Sequence, residues 1–263
     1  MLERRRDSGG QVPSSTIGKS TIHVVSKSAP DYGLDAPGIV HKCLISRGLG
    51  ICAGALLVWR GHHILLWLGA LVVLVSLVLL AKGLLIIYYA KVSKFRCRDR
   101  ILDFIEWNGQ ETVLDVGTGR GLLIGAAKRT TGRVVGIDLW SQEDLSDNRE
   151  ENTMANAVLE GVADRIEAHN QNAQHRHFPH SCFDVVISNP CLHNIPTPRG
   201  RKQACSEIVR VLKPGEVAVI SDFTACEEYE RAFAASGCQV ALLSRINFLP
   251  PLRVVRAQKP QLR

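Results

Sequence analysis

The chain has 263 residues, of which 46% are apolar and 22% are charged, so it can bury a full hydrophobic core and is not intrinsically disordered. Its formal net charge of +7 is unevenly distributed, because residues 1–94 carry 11 Lys/Arg against 4 Asp/Glu whereas residues 95–263 carry 21 of each. The zero net charge of the C-terminal part argues against a strongly basic face for nucleic acid, and no nucleic-acid partner is expected.

The eight cysteines are scattered singly along the chain, and no C-x-x-C motif occurs. This spacing gives no support to a zinc ribbon or a thioredoxin-like site, and we expect no metal site. The cysteines are interpreted as reduced and mostly buried side chains.

Residues 1–36 are expected to form a flexible N-terminal tail, because the first 30 residues mix Arg, Ser, Gly, Lys and Pro without a sustained apolar period. The tail is not interpreted as a secretory signal, since the apolar block that follows begins too late and is too long.

Residues 37–94 are expected to form a membrane anchor. Ile64–Ala81 is a run of 18 residues without a charge, and a helix over 64–90 would be about 40 Å long, enough to cross a hydrocarbon core of about 30 Å with tilt. Tyr88 and Tyr89 fall where an interfacial aromatic belt would lie, and Lys82 can extend its ammonium group to the headgroups. The alternative is a buried core helix, but such helices rarely stay apolar on every face.

A second, weaker apolar segment over about 44–59 precedes this helix. We favour a hairpin of two spans joined by the turn at residues 60–63, over a single span with a re-entrant or interfacial first segment. Basic residues cluster outside both ends of the hairpin. For an integral membrane protein, the positive-inside rule then predicts that the tail and the C-terminal domain lie on the cytoplasmic side. Membrane lipids are then expected partners.

From residue 95 the pattern alternates between strands and helices, which predicts a mostly parallel sheet covered on both faces. Strands are expected at 112–116, 133–138, 165–169, 183–188 and 216–221, and a late hairpin at 240–243 and 253–257 could close the sheet. Helices are expected at 98–107, 122–129, 151–159 and 201–212.

A glycine-rich turn follows the first of these strands, with Gly117, Gly119 and Gly121 in the order G-x-G-x-G. Such a turn lets backbone approach a ligand where side chains would clash. Asp138 ends the next strand, 21 residues after Gly117, and can accept hydrogen bonds from both hydroxyls of a ribose. The pattern favours a nucleoside-containing cofactor. Asp115, two residues before the first glycine, is badly placed for a pyrophosphate but well placed to attract the positive aminoalkyl end of S-adenosylmethionine.

These segments resemble the class I S-adenosylmethionine-dependent methyltransferases. Residues 113–121 (VLDVGTGRG) are similar to the family's first motif, 135–138 (VGID) to its second, 183–188 (FDVVIS) to its fourth strand and 208–215 (IVRVLKPG) to the lead into the fifth. The resemblance covers about residues 95–257 and is closest in style to small-molecule enzymes, including a membrane-anchored, largely uncharacterised subset with Leu-His-Asn-Ile after the fourth strand. It implies a Rossmann-like α/β domain over 95–263 with a seven-stranded sheet, preceded by the transmembrane hairpin.

The resemblance also implies the residues that bind S-adenosylmethionine. They are Asp115, Val116, Gly117, Thr118, Gly119, Gly121, Asp138, Leu139, Asn172 and Ser188. Asn172 stands where the family commonly has an Asp that reads the adenine amino group, and its amide oxygen can still accept. Trp140 is either an adenine-packing ring or an ordinary aromatic.

His193 follows the fourth strand, where substrates meet the methyl group in this fold, and is the candidate catalytic base. The alternative is a histidine that only shapes its loop. Asn189-Pro190-Cys191-Leu192 lacks the aromatic platform of amino-group methyltransferases that act on adenine or glutamine, and arsenite methylation through Cys182 and Cys191 would need thiols that converge in space.

The sequence therefore predicts a membrane-anchored methyltransferase for a small, lipophilic acceptor. The linker at 91–94 is too short to let the domain leave the bilayer. The alternatives are a methyltransferase for a soluble metabolite or a protein, and a non-catalytic membrane adaptor with a degenerate domain.

Overall fold

The computed structural model describes residues 29–60, 63–175, 178–243, 245–247 and 250–261. Outside the described residues lie most of the expected tail, Gly61 and His62 of the turn between the two apolar segments, and Arg176 and His177.

Six α-helices and seven strands form the described part of the chain. The helices are α1 Pro37–Trp59, α2 His63–Tyr88, α3 Lys94–Leu102, α4 Glu150–Leu159, α5 Pro198–Val211 and α6 Cys226–Ala235. The strands are β1 Val113–Val116, β2 Val134–Asp138, β3 Ile166–Asn170, β4 Phe183–Ser188, β5 Leu212–Asp222, β6 Gln239–Leu243 and β7 Arg253–Gln258. A π-helical turn, Tyr89–Ser93, joins α2 to α3, and short 3₁₀ segments lie at Leu123–Lys128, Ala163–Arg165 and Leu192–Asn194.

The seven strands form one sheet in the order β3-β2-β1-β4-β5-β7-β6, in which β7 pairs antiparallel with both of its neighbours and the other pairs are parallel. This confirms the expected Rossmann-like architecture and the late hairpin. The chain continues from β1 to β2 on one side, while β4 lies on the other side of β1. Ligands of open α/β sheets bind at the carboxyl ends of the strands at such a switch point.

Alternating residues of the central strands supply two cores, one on each face of the sheet. On one face Val113, Val134 and Val185 pack with α3 and α4 residues such as Ile101 and Ala157. On the other face Leu114 and Val186 pack with α5 and α6. Because both faces are covered, the polar groups that can bind a ligand are confined to the strand ends and loops.

The two long helices pack antiparallel through small residues. A Cβ atom on Gly54 would lie 2.9 Å from the carbonyl oxygen of Gly69, and one on Gly69 would lie 2.7 Å from the carbonyl oxygen of Gly54. Gly50 faces Ser76, and Gly83 faces Cys43, in the same way. Small residues at a helix contact allow the close backbone approach that is typical of packing in lipid.

Helices α1 and α2 are long and apolar enough to cross a membrane by length and composition, and only 12% and 11% of their most apolar windows are buried. They begin at residues 37 and 63 and end at residues 59 and 88, so the first is longer than the expected span of 44–59.

The structure corrects three expectations. Residues 29–36 were expected to belong to a flexible tail, but Tyr32 is buried and Asp35 pairs with Leu145 in an isolated bridge, because this segment packs on the domain. Leu123–Lys128 is a 3₁₀ segment rather than an α-helix, with the poor helix former Gly125 inside it. Helix α6 was not predicted at all, since Ala225 begins it in a left-handed conformation without a capping side chain.

Candidate functional site

A cavity of about 1110 Å³ lies at the carboxyl ends of the central strands and extends to the helical hairpin. Ligand pockets commonly have volumes of about 300–1,000 Å³, so this cavity can hold a cofactor together with a second small molecule. Its wall includes the glycine turn, the end of β2, the loop after β4, and residues of α1 and α2.

Asp138 organises the cofactor end of the cavity. Its Oδ2 accepts from the Gly119 backbone N–H at 2.8 Å, and its Oδ1 accepts from the Trp140 N–H at 2.7 Å and from the Asn148 amide at 3.2 Å. Burial is the main cause that raises the pKa of this carboxyl, and the hydrogen bonds oppose the shift. Since Oδ2 accepts only one of these bonds, it keeps a lone pair for a ligand hydroxyl.

The three glycines of the turn have positive φ angles of 76°, 50° and 84°. These are conformations that other residues rarely adopt. Gly117 and Gly119 line the cavity, whereas Gly121 faces α4, where an added Cβ would lie 3.1 Å from Thr153 Cγ2. The third glycine thus permits close packing of the helix rather than ligand contact.

Asp115 lies beneath the turn and is 1% exposed, and its Oδ2 has no hydrogen-bond partner among the described residues. Burial raises the pKa of this carboxyl to about 7. It does not line the cavity wall. A cation bound above the turn would favour the ionised carboxylate, so Asp115 can act on a ligand only through its charge.

The remaining cofactor candidates separate into two groups. Thr118, Leu139 and Asn172 line the cavity. Val116 and Ser188 do not, because the Ser188 hydroxyl is fully buried and donates to the Val116 carbonyl between β4 and β1. These two residues hold the sheet together and are not part of the cavity wall. Trp140 also lies outside the wall and supplies only its backbone N–H to Asp138.

His193 lines the cavity opposite the glycine turn and is paired with a carboxylate. Its Nδ1 lies 3.0 Å from Oδ1 of Asp222, an approach not aligned as a hydrogen bond in this conformation, and its backbone N–H donates to Asp222 Oδ2. Asp222 is fully buried and also accepts from the Tyr229 hydroxyl at 3.1 Å. The ring of Phe223 packs on the imidazole with centroids 4.4 Å apart.

Sequence reasoning did not identify Asp222. The sequence does offer a signal for it, because Asp222 is an acidic residue at the end of β5, the strand next to β4. Neighbouring parallel strands end at the same edge of the sheet, so this carboxylate would be expected near the loop that carries His193. Tyr89 and Asn189 were also missed as cavity residues, although both line the wall, because no sequence pattern relates the end of an apolar helix to a loop 100 residues later.

The thiols do not form a reactive set. Cys191 lies against the glycine turn, and burial raises its pKa well above the ordinary value. None of the eight cysteines forms a disulfide, and no group of three potential metal ligands occurs among the described residues. Thiol chemistry through Cys182 and Cys191 therefore has no geometric support.

Residues 114–220 match the family model of the methyltransferase domain. This segment of the chain is therefore similar to methyltransferase domains. The cofactor of this family is S-adenosylmethionine, and the cavity fits it: the free lone pair of Asp138 faces the space above the turn, and the unpartnered buried oxygen of Asp115 lies below it.

Curated relatives match about two fifths of the chain. The chain is 35% identical over 103 residues to the ubiquinone biosynthesis O-methyltransferase of Cronobacter sakazakii, which is 39% of this chain and 38% of the relative. It is 33% identical over 107 residues to the enzyme of the same name from Yersinia pestis, covering 40% of each chain. The match thus spans about two fifths of the length of these relatives.

Solved structures show the same fold. A SAM-dependent methyltransferase from Aquifex aeolicus aligns with a TM-score of 0.51 at 17% identity, covering 63% of this chain and 90% of the other. The [4+2]-cyclase SpnF aligns with a TM-score of 0.54 at 16% identity, covering 64% and 82%. Because a cyclase shares the fold, the chemistry has to be argued from the site.

Proposed function

We propose that this chain transfers a methyl group from S-adenosylmethionine to a hydroxyl of a small, lipophilic acceptor at a membrane surface. The observation that carries the proposal is that one cavity joins three parts of the molecule. The glycine turn and Asp138 line one side, His193 with its buried partner Asp222 lies opposite, and the hairpin forms a further wall. The names of the curated relatives, O-methyltransferases of ubiquinone biosynthesis, support oxygen as the methylated atom.

When bound, S-adenosylmethionine supplies an electrophilic methyl group on a sulfonium, and the protein contributes alignment and removal of water. Asp138 holds a ribose hydroxyl with its free lone pair, and Asn172 and Leu139 line the space beyond. The buried carboxyl of Asp115 places negative charge beneath the cationic end of the cofactor. These residues set the position of the methyl group between the turn and the loop after β4.

The acceptor hydroxyl has to lose its proton as its oxygen attacks. His193 is placed to take that proton on Nε2, because the short approach of Nδ1 to the Asp222 carboxylate favours the tautomer that carries its hydrogen on Nδ1. After transfer the imidazolium is stabilised by the same carboxylate. Asp222 is thus a positioning residue, and His193 is the catalytic base.

The hairpin supports placement at a membrane. Large apolar side chains on it point away from the protein, such as Trp59, Ile64 and Trp67, which are 82%, 83% and 81% exposed. Lipid is the environment that covers such a surface on all sides. We propose that both helices are inserted and that the methyltransferase domain is cytoplasmic, and carbonate extraction that releases the intact chain would contradict insertion.

Calorimetric titration of S-adenosylmethionine into the full chain in detergent tests the cofactor site. Asp138→Ala removes the ribose acceptor and is expected to weaken binding by ~1–3 kcal/mol, the value of a hydrogen bond to a charged group. Asp164→Ala is the matched control, since this exposed carboxylate pairs only with its neighbour Arg165 among the described residues. Unchanged affinity in Asp138→Ala would show that the cofactor assignment is wrong.

A further inference from the structure

We propose that the helical hairpin forms one wall of the acceptor site, so that the acceptor's apolar chain lies between α1 and α2 while its hydroxyl reaches His193. The inference rests on the proposed function and adds to it the route and the residues by which a lipophilic molecule enters. It gives the hairpin a role in substrate binding in addition to anchoring.

One helical stripe, formed by α2 and the first residue of the π-helical turn, faces the cavity. Lys82, Leu85, Ile86 and Tyr89 all line it, and their spacing of three, one and three residues places them on one face of a helix. Gly38, Ile39 and Lys42 of α1 line it from the other side. The cavity therefore runs along the groove between the two helices and is not confined to the methyltransferase domain.

The groove is open at its outer end and closed at its inner end. Ile39 and Leu85 are 50% and 43% exposed although they line the cavity, whereas Tyr89 is 3% exposed. Apolar side chains thus cover the entrance, and the buried end is where polar groups converge. This is the order in which a molecule with an apolar chain and a polar head would be held.

The buried end carries polar atoms that lack partners. The Tyr89 hydroxyl and the Asn189 amide are buried close to each other, but neither the hydroxyl nor either amide atom makes a well-aligned hydrogen bond among the described residues. A buried polar group without a well-aligned partner is unfavourable, so a bound hydroxyl or carbonyl that pairs with these groups is preferred. Tyr89 and Asn189 join His193 on the same cavity wall, and one of the three comes from the hairpin.

The entrance lies where the hydrocarbon of a membrane would end. Gly83 contacts Cys43, so Lys82 and Lys42 lie at the same level on the two helices. The 18 uncharged residues Ile64–Ala81 span about 27 Å, close to the thickness of a hydrocarbon core. The lysines then mark the headgroup level, and Ile39, Leu85 and Ile86 lie just beyond it, on the side of the methyltransferase domain.

The test compares two phenols as acceptors for the full chain in lipid nanodiscs, 4-methylphenol and 4-dodecylphenol. Ile86→Trp fills the groove, and Leu84→Trp is the matched control, because Leu84 is 54% exposed and does not line the cavity. Ile86→Trp is expected to raise the KM for 4-dodecylphenol about tenfold, the loss of roughly two buried methylene groups, with much less effect on 4-methylphenol. Leu84→Trp should change neither value.

Tyr89→Phe removes only the hydroxyl and is expected to raise the KM for both phenols while the affinity for S-adenosylmethionine stays unchanged. Equal effects of Ile86→Trp on the two phenols, or equal effects of Ile86→Trp and Leu84→Trp, would overturn the inference.

A binding measurement keeps the inference separate from catalysis. A 4-dodecylphenol with a diazirine at the end of its chain is expected to crosslink to the groove side of α1 or α2, and Ile86→Trp but not Leu84→Trp should abolish these adducts. Adducts that persist equally in both variants would overturn the inference. If the wild type forms the groove adducts but methylates neither phenol, the proposed acceptor chemistry fails and the binding site stands.

Discussion

Asp115 is a buried acid beneath the glycine turn, and its burial makes stability depend on pH. Burial raises the pKa of this carboxyl from 3.8 to about 7, so the folded chain binds a proton more tightly than the unfolded chain. The Asp115 side chain therefore lowers stability progressively as the pH rises from about 4 to about 7, and the loss is complete above that range.

Asp115→Asn removes this charge and keeps the shape of the side chain. Without cofactor, the stability of the variant is expected to rise relative to that of the wild type between pH 5 and pH 8, by about 2–3 kcal/mol. Thermal melting of both proteins at the two pH values measures this change. A difference between variant and wild type that is the same at both pH values would contradict the burial of an ionisable group here. Saturating S-adenosylmethionine should reduce the advantage of the variant at pH 8.

His193 and Asp222 form the pair that is proposed to act on the acceptor. His193→Gln removes the base and is expected to lower kcat for a hydroxyl acceptor by about 10²- to 10⁴-fold, the usual contribution of a general base. Asp222→Asn keeps the size of its side chain and should lower kcat less. Both variants should bind S-adenosylmethionine with wild-type affinity in a calorimetric titration, and a large loss of cofactor affinity in His193→Gln would contradict its assignment to the acceptor.

Residues close to a motif could be predicted, and residues brought together only by the fold could not. Asp138, Gly117 and Gly119 follow from spacing along two consecutive β-α units, so their position at the cavity could be predicted from the sequence. Asp222 lies next to His193 because β5 is the neighbour of β4 in the sheet. Tyr89 lines the same cavity as His193 because α2 continues into the domain. Ser188 was misassigned to the cavity, since its place in a motif does not show that its hydroxyl bonds back to β1.

At the scale of elements, the strands were predicted to within a few residues, because short apolar runs bounded by turns are typical of buried parallel strands. The largest difference is at β5, which begins at Leu212 instead of Glu216. The hairpin was predicted from its apolar length, but its contact with the domain was not. The tail segment from Asp31 to Asp35 packs on the domain through specific polar contacts: Asn156 bonds both backbone groups of Asp31, and Asp35 pairs with the buried Lys94 at 3.0 Å. Composition alone does not reveal such pairing.

The packing of α1 on α2 depends most on Gly54 and Gly69, because a Cβ atom on either would lie within 3.0 Å of a backbone oxygen of the other helix. Gly54→Val would place a side chain against the Gly69 carbonyl and is expected to separate the helices, whereas Gly48→Val in the same helix has nothing within 4 Å. A Gly83→Cys substitution next to Cys43 reports the contact by disulfide formation on mild oxidation. Crosslinking should fall sharply in the Gly54→Val background and persist in the Gly48→Val background. Equal crosslinking in both would contradict the observed helix contact.

At the scale of the whole molecule, the hairpin and the methyltransferase domain are joined without a flexible linker. Helix α2 continues through the π-helical turn into α3, forming one helical segment from His63 to Leu102, and Tyr89, Cys97 and Ile101 lie in the core of the domain. The mouth of the cavity is therefore held at a fixed distance from the hairpin. The excess of basic residues also falls in the first 94 residues, where anionic headgroups would meet it.

The central claim is that this methyltransferase domain modifies a lipophilic molecule delivered through the hairpin. The most direct measurement incubates the full chain in native membranes with S-adenosylmethionine labelled on its methyl group, with Asp138→Ala as the background, and separates lipids, soluble metabolites, protein and RNA. The account predicts label in a small molecule of the lipid extract that depends on Asp138. Label found only in the soluble or macromolecular fractions would contradict it.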